Sequence, residues 1–312
     1  MSQGTIRKIA VLKGGPSAER EVSLRTGAAV AVALRGAGYE VAEVDVTGRD
    51  FVLPAGTDFA FLSLHGTFGE DGEVQALLEK RGMPFTGCGI EASALAFDKE
   101  LSKAKFRAAD IPTPAGTVLG RGEALPADFP VPLVVKPSRQ GSTVGMSFVF
   151  DRAEVPAALA KAWEHDERAI VEAYVKGREF TVGVLGDEAL PLVEIVPKQG
   201  FYDYDNKYTA GATDYFCPAR LDERKAAEIQ RHALAAHRAL GCRVYSRVDV
   251  LLDEAGNPFV LEVNTIPGMT ATSLLPKAAA AAGLDFPALC EKILRLSQAG
   301  LPRSKNAVFG NI

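Results

Sequence analysis

The sequence predicts an α/β fold, α+β in parts, and three observations predict it. Residues 5–64 run strand, Gly-Gly loop, Ala- and Val-rich helix, strand, strand, a βαβ opening that calls for a parallel sheet. From residue 131 onward, strands are instead joined by short loops, as in 131–150 and 169–185, the hairpin pattern of antiparallel pairing. At 312 residues the chain is too long for one ordinary core, so two or three domains share these sheets.

Composition narrows the function classes. A hydrophobic content of 47% with 24% charged residues is that of a soluble globular protein. A net charge of −4 offers no global argument for nucleic-acid or membrane partners. No apolar run reaches the length of a membrane span, and the N-terminus lacks a signal-peptide core. Cys88, Cys217, Cys242 and Cys290 lie far apart with no CxxC, which reads as buried free thiols in a reducing cytoplasm. The four histidines show no metal-ligand spacing.

In chain order, residues 5–12 form the first strand, Gly14-Gly15-Pro16-Ser17 a tight loop, and 18–37 a helix. The loop lacks the GxGxxG pattern, so a dinucleotide site is not indicated. Glu19 and Glu21 stand where the helix dipole favours acids; Glu19 also faces the loop mouth and is a candidate partner for a substrate ammonium. Strands follow at 39–45 and 58–64. The loop after the latter, His65-Gly-Thr-Phe-Gly-Glu-Asp-Gly72, sits where open α/β sheets bind ligands, at a strand's carboxyl end. His65 is a candidate there, although a loop histidine is commonly a surface hydrogen-bonding residue. Residues 73–80 form a helix, 84–89 a short strand and turn, and 92–109 one helix carrying Asp98-Lys99.

Five prolines between 112 and 132 mark a change in composition, and a domain boundary falls near 98. The strand 131–136 ends on Lys136, a charge at the close of an apolar run that asks for an anionic partner. The following loop, Pro137-Ser-Arg-Gln-Gly-Ser-Thr-Val-Gly145, exposes backbone and hydroxyl donors that suit phosphates, and also fits an ordinary flexible hairpin. A helix at 153–165 carries Trp163 as a core residue, and strands at 169–174 and 178–185 are flanked by Glu172 and Glu179, surface charges unless they border a cleft. After a strand at 189–196, residues 201–209 (FYDYDNKYT) leave any regular pattern and read as a lid or an interface. A helix over 222–240 opens on Asp222 as N-cap and closes at Gly241. Helices at 273–282 and 287–298 end the ordered chain, and 299–312 reads as a loose tail.

The densest chemistry lies in 246–270, SRVDVLLDEAGNPFVLEVNTIPGMT. Two strands, about 244–252 and 259–263, fold about Ala255 and Gly256. Side chains alternate, so Arg247 and Asp249 share a face of the first strand, as Glu262 and Asn264 share one of the second. If all four project to the same side, their oxygens suit Mg2+ carrying phosphates; a solvated strand face has the same alternation. Asn264-Thr-Ile-Pro-Gly268 breaks the strand and sets backbone N–H groups beside the acidic face.

These residues together resemble the D-alanine–D-alanine ligases of the ATP-grasp superfamily. The resemblance spans residues 6–298 and rests on GGPSAEREVSL, LHGTFGEDG, FTGCG, DKELSK, VVKPSRQGSTVGM, FYDYDNKY, SRVDV and LEVNTIPGMT in family order. Small departures are Tyr245-Ser246, where relatives often carry Trp-Gly, and Ile266, a variable position in the turn. The resemblance implies an N-terminal α/β domain over 1–98, a central domain over 99–184, and a C-terminal domain over 185–312 with its tail from about 299. ATP would lie between the last two, gripped by antiparallel sheets. The implied reaction joins two D-alanines through a D-alanyl phosphate, for peptidoglycan precursors, in a cytoplasmic homodimer.

It also implies roles. Asp249, Glu262 and Asn264 would hold two Mg2+ ions, with Mn2+ as a substitute; Lys99, Lys136 and Lys207 would contact phosphates; Glu172 and Glu179 would bind adenine and ribose. Glu19 would pair with the first substrate's ammonium and link through Ser142 to Tyr208, closing both loops over the site. Arg247 and the Gly268 N–H would form the oxyanion hole, Ser273 and Leu274 would take the second substrate's carboxylate, and His65 would lie near the first substrate. A depsipeptide ligase using D-lactate is the nearest rival, disfavoured by Lys207-Tyr208; other ATP-grasp ligases and a nucleotide-binding module without chemistry stand further off.

Overall fold

A computed structural model of the chain describes residues 6–200, 209 and 211–300. Its described strands form three sheets. In the first, β1 (Lys8–Gly14) lies between β2 (Glu40–Val46) and β3 (Phe59–Leu62), all parallel. The crossover from β1 to β2 is α1 (Arg20–Gly36), whose Val30 and Leu34 bury against Ile9 and Val11. Then come α2 (Glu73–Lys80), α3 (Ile90–Phe97) and α4 (Lys99–Ala108).

The single helix expected over 92–109 is two helices. Asp98 takes an extended conformation, and its carboxylate accepts the N–H groups of Glu100 and Leu101, capping α4. A cap of this kind satisfies donors that an unbroken helix would have paired internally, so the break costs little.

The second sheet is antiparallel, in the order β4 (Gly116–Gly120), β7 (Arg168–Ala173), β5 (Leu133–Pro137), β6 (Ser147–Val149), with α5 (Val155–Trp163) on its face. Trp163 packs against the core beneath this sheet, as expected. The third sheet runs β11 (Thr213–Phe216), β10 (Val193–Pro197), β8 (Gly177–Leu185), β12 (Tyr245–Asp253), β13 (Pro258–Asn264), with β9 (Glu188–Ala189) beside β8. All its pairings are antiparallel. Strand β8 follows β7 in sequence yet pairs with β12, so the chain passes between the two sheets at the 174–176 turn.

Helix α6 (Glu223–Ala239) covers β12 and β13 and opens on Asp222, whose carboxylate accepts the Lys225 N–H. The last helices, α7 (Leu274–Ala281) and α8 (Phe286–Ala299), return to the first unit: Leu289, Ile293 and Leu294 share one core with Ile9, Val30 and Leu34. The three sheets thus converge on one region. The cysteines are all free thiols; Cys88 and Cys290 are buried, Cys217 and Cys242 half-buried.

Candidate active site

Register fixes the acidic hairpin. Arg247 stands opposite Asn264, and Asp249 opposite Glu262, across β12 and β13. A bulge between Asp249 and Val250 follows this pair, at the point where the strand must aim its polar face. Arg247 grips Asp249 with two bonds, Nε to Oδ1 at 3.0 Å and Nη2 to Oδ2 at 2.9 Å. The Thr181 hydroxyl from β8 donates to Asp249 Oδ1 at 2.6 Å, and Asn264 Nδ2 donates to Oδ2 at 3.2 Å. Two carboxylates and an amide on one face are all-oxygen donors, the set that suits Mg2+ with phosphate oxygens and waters completing its shell. No group of three His, Cys, Asp or Glu side chains that could hold a metal occurs among the described residues, so any ion here relies on the amide and on substrate.

A cavity of about 500 Å³ opens between the second and third sheets, within the range of small-molecule sites. Lys99, Lys136, Ser142, Glu172, Glu179, Asp249 and Glu262 all line it. Lys99 Nζ lies 3.2 Å from Glu262 Oε2 and donates to the Gln140 carbonyl at 2.6 Å, so it ties the loop after β5 to the acidic hairpin. Glu172 is buried and pairs with Lys136 at 2.7 Å and with Lys103. Burial works to raise its carboxyl, but the two lysines outweigh it and hold the group below its ordinary value. Burial pulls Lys103 down to about 8 despite Glu172. One carboxylate serving two ammonium groups leaves surplus positive charge beside the cavity, the environment a polyphosphate requires.

The loop between β5 and β6 carries two non-glycine residues in the left-handed region, Ser142 at φ +50° and Thr143 at φ +61°. Each such residue costs on the order of 1 kcal/mol, tolerated where surrounding contacts impose it. Here the imposing contact is Ser142 Oγ donating to Glu19 Oε1 at 2.5 Å, a bond between the second sheet's loop and the start of α1. The Glu19 carboxylate lies between two glycines: a Cβ on Gly66 or on Gly141 would each sit 2.8 Å from Oε2. Only residues without side chains let both loops approach it this closely.

His65 is buried with both ring nitrogens engaged. Nδ1 lies 2.9 Å from the Ile266 carbonyl, which can only accept, so Nδ1 donates. Nε2 is then free to accept from Thr26 Oγ1 at 3.1 Å. Burial lowers its pKa, which keeps the ring neutral in this role. The histidine is therefore a joint between the first unit and the 264–268 turn, with no ring nitrogen left to abstract a substrate proton. Glu70 makes a second joint: its carboxylate accepts from the Gly66 N–H at 2.9 Å and the Ile266 N–H at 3.2 Å. Burial, with the Glu19 charge nearby, pushes its carboxyl up to about 8.

Ser273 precedes α7, and its hydroxyl accepts from the Thr270 N–H at 3.0 Å and meets Thr270 Oγ1 at 2.8 Å. A Cβ on Gly268 would lie 2.9 Å from Ser273 Oγ, so the turn and the start of α7, with Leu274 at its first position, adjoin. Lys207 and Tyr208 lie outside the described residues. Sequence reasoning missed four residues of the site: Lys103, Thr181, Glu70 and Thr26. Two carried a signal, since Lys103 stands four residues after Lys99 on one helix face and Thr181 alternates with Glu179 on β8.

Comparison with known proteins gives one answer. A family model described as "D-ala D-ala ligase C-terminus" matches residues 119–295, and "D-ala D-ala ligase N-terminus" matches 52–88. A D-alanine–D-alanine ligase of Methylacidiphilum infernorum is 52% identical over 297 residues, covering 95% of this chain and 97% of that protein. One from Syntrophotalea carbinolica is 50% identical, covering 92% of this chain and 95% of the relative. Among solved structures, a Bacillus anthracis D-alanine–D-alanine ligase complexed with ATP superposes with a TM-score of 0.82 at 34% identity, over 94% of this chain and 98% of the other. The VanG D-Ala:D-Ser ligase of Enterococcus faecalis gives 0.83 at 31% identity, over 94% and 100%.

Proposed function

The chain belongs to the D-alanine–D-alanine ligase family, and from that premise we infer that it joins two D-alanines at the expense of ATP, for peptidoglycan precursors. A carboxylate is a poor acyl donor because oxide is a poor leaving group. Phosphoryl transfer from ATP to the first D-alanine's carboxylate gives a D-alanyl phosphate, and attack by the second amine expels phosphate. The observation that carries this reading is the cavity with Lys99, Lys136 and Glu172 on one side and Asp249 and Glu262 on the other. The protein's task there is positioning and charge stabilisation.

Roles for individual residues follow from that chemistry. Lys99 and Lys136 hold phosphate oxygens, with Lys207 joining them. Asp249, Glu262 and Asn264 are the residues to hold Mg2+, two ions by family resemblance, which when bound offset repulsion between the triphosphate and an incoming carboxylate. Glu179 takes ribose hydroxyls and Glu172 the adenine side. Glu19 binds the first ammonium, steadied by Ser142 and Tyr208. Arg247 and the Gly268 N–H stabilise the oxyanion of the tetrahedral intermediate. Ser273 and the Leu274 backbone receive the second carboxylate at the start of α7.

Three units, about 1–98, 99–184 and 185–312, share this work, although β8 (Gly177–Leu185) pairs along its whole length with β12, so the chain enters the third sheet at the 174–176 turn, ahead of the second boundary. A homodimer working in the cytoplasm fits the substrates; among the described residues no helix is long and apolar enough to cross a membrane. The decisive experiment measures phosphate release and dipeptide formation together, with Mg-ATP and D-alanine, L-alanine, D-serine or D-lactate. One phosphate per D-alanyl-D-alanine is expected. A mixed product with D-serine would instead align the chain with the VanG-type enzymes it resembles in fold. No phosphate under any condition would overturn the ligase reading.

A further inference from the structure

The turn that presents the Gly268 N–H is set in place by the first unit. Ile266 is 3% exposed, and its side chain packs into the cluster of Leu12, Leu62, Leu64 and Phe68 beneath the parallel sheet. Its backbone is held at both groups: its N–H donates to Glu70, and its carbonyl accepts from His65. Two residues past Pro267, the Met269 N–H points at Thr26 Oγ1 at 3.4 Å, and Thr26 in turn meets His65. Gly268 is thus bracketed by anchored neighbours on either side.

The same carboxylate reaches the other way. Glu70 Oε2 accepts the N–H of Gly66, and Gly66 is one of the two glycines against which the Glu19 carboxylate rests. Glu70 therefore touches both the segment that seats Glu19 and the segment that presents Gly268. In the ligase reading, on which this inference rests, those two points bind the two ends of the first substrate, its ammonium and its reacting carboxyl group. Their separation is a ruler for the number of carbons between them.

We propose that Glu70 is a positioning residue, with Thr26 as its second anchor, that fixes this span and so selects an α-amino acid over a longer amino acid at the first site. A carboxyl group offers an acceptor on each oxygen, with or without its proton, which is what two N–H groups from different segments demand. Glutamine keeps the shape but turns an NH2 group toward one of the two N–H donors, opening one side of the clamp. A misplacement of about 1 Å in a reacting geometry can cost a hundredfold.

The test uses the full chain and compares wild type, Glu70→Gln and Thr26→Val. Four quantities are read: the first-site KM for D-alanine, kcat, Mg-ATP affinity by calorimetry, and preference for D-alanine over β-alanine at the first site. Expected for Glu70→Gln is a rise of about tenfold or more in first-site KM with nucleotide affinity within about twofold. The preference over β-alanine narrows, a readout that mere loss of stability would not move. Thr26→Val is expected to move the same quantities in the same direction by less, and it decides the matter should Glu70→Gln not fold. First-site KM and preference equal to wild type in the folded variants would overturn the proposal. Wild type that makes no dipeptide would overturn the ligase reading instead, so the two failures are distinguishable.

Discussion

Replacing Gly141 by alanine isolates the role of Glu19 better than removing Glu19 itself. The new Cβ would lie 2.8 Å from Glu19 Oε2, against an ordinary contact of at least 3.4 Å, so the carboxylate must retreat by about 0.6 Å. Gly141 does not occupy the left-handed region, so its backbone accepts a side chain without strain. The group that must give way is the end of a flexible side chain, so stability should change by no more than about 0.5 kcal/mol. The ammonium site proposed at Glu19 has no such slack. Glu19 would lose the alignment of its 2.5 Å bond from Ser142 together with its place between Gly66 and Gly141. The bond at stake is the one the substrate ammonium makes to the displaced Glu19 carboxylate; a hydrogen bond to a charged group is worth about 1.5–3 kcal/mol, which corresponds to roughly 10- to 150-fold in binding. Initial rates over a range of D-alanine at saturating ATP separate the two substrate sites. The expected result is a first-site KM raised by that factor, with melting temperature and Mg-ATP affinity unchanged. An unchanged first-site KM in the folded variant would remove Glu19 from the ammonium site. A loss of nucleotide affinity with first-site KM unchanged would show that the loop after β5 serves ATP alone.

Three further perturbations probe other parts of the site. Arg247→Ala should cost about 3–4 kcal/mol in transition-state stabilisation, read as a fall in kcat, and turnover near wild type would refute the oxyanion role. Asp249→Asn should weaken Mg-ATP binding more than D-alanine binding, and calorimetry giving the reverse order would refute the metal assignment. His237, buried and 2.7 Å from Ser246 Oγ, is held down to about 4 by burial, while the unfolded chain titrates it near 6.5. The unfolded state binds the extra proton between those values, so this stability is complete above pH 6.5 and is lost as the pH falls toward 4, by about 3 kcal/mol. His237→Asn should flatten that acid limb of a denaturation series; an unaltered limb would place the acid sensitivity elsewhere.

What could be read from the sequence divides along the range of the interactions. The β12–β13 hairpin was legible because alternation and an Asp-Glu-Ala-Gly-Asn turn are local, and register then pairs Arg247 with Asn264 and Asp249 with Glu262. The N-cap at Asp222 was legible for the same reason. Strands β4 and β11 were missed because they are sheet edges: β4 buries only Leu119, and β11 only Thr213, so neither shows the half-apolar pattern of an inner strand. The break at Asp98 was missed because its cap competes with an uninterrupted helical pattern, with no glycine or proline to mark it.

The least legible part is the joint around Ile266, and the reason is chemical. Glu70 and His65 bind the backbone N–H and carbonyl of a residue about 200 positions away, separations of 196 and 201 residues. Every non-proline residue carries those same two groups, so nothing in the identity of Ile266 advertises them. Its side chain says only that it is apolar, and in the sequence it stands at a position read as variable within the turn. Once the turn is seated, that apolar side chain acquires a constraint: it must fill the space among Leu12, Leu62 and Phe68, where removing methylene groups leaves a cavity. The position is therefore free to vary among large aliphatic residues and closed to small or charged ones. The Gly268 N–H proposed for the oxyanion then depends on packing in the core beneath the parallel sheet. A residue with no reactive group thereby takes part in placing that N–H, through its volume and through its two backbone bonds to Glu70 and His65.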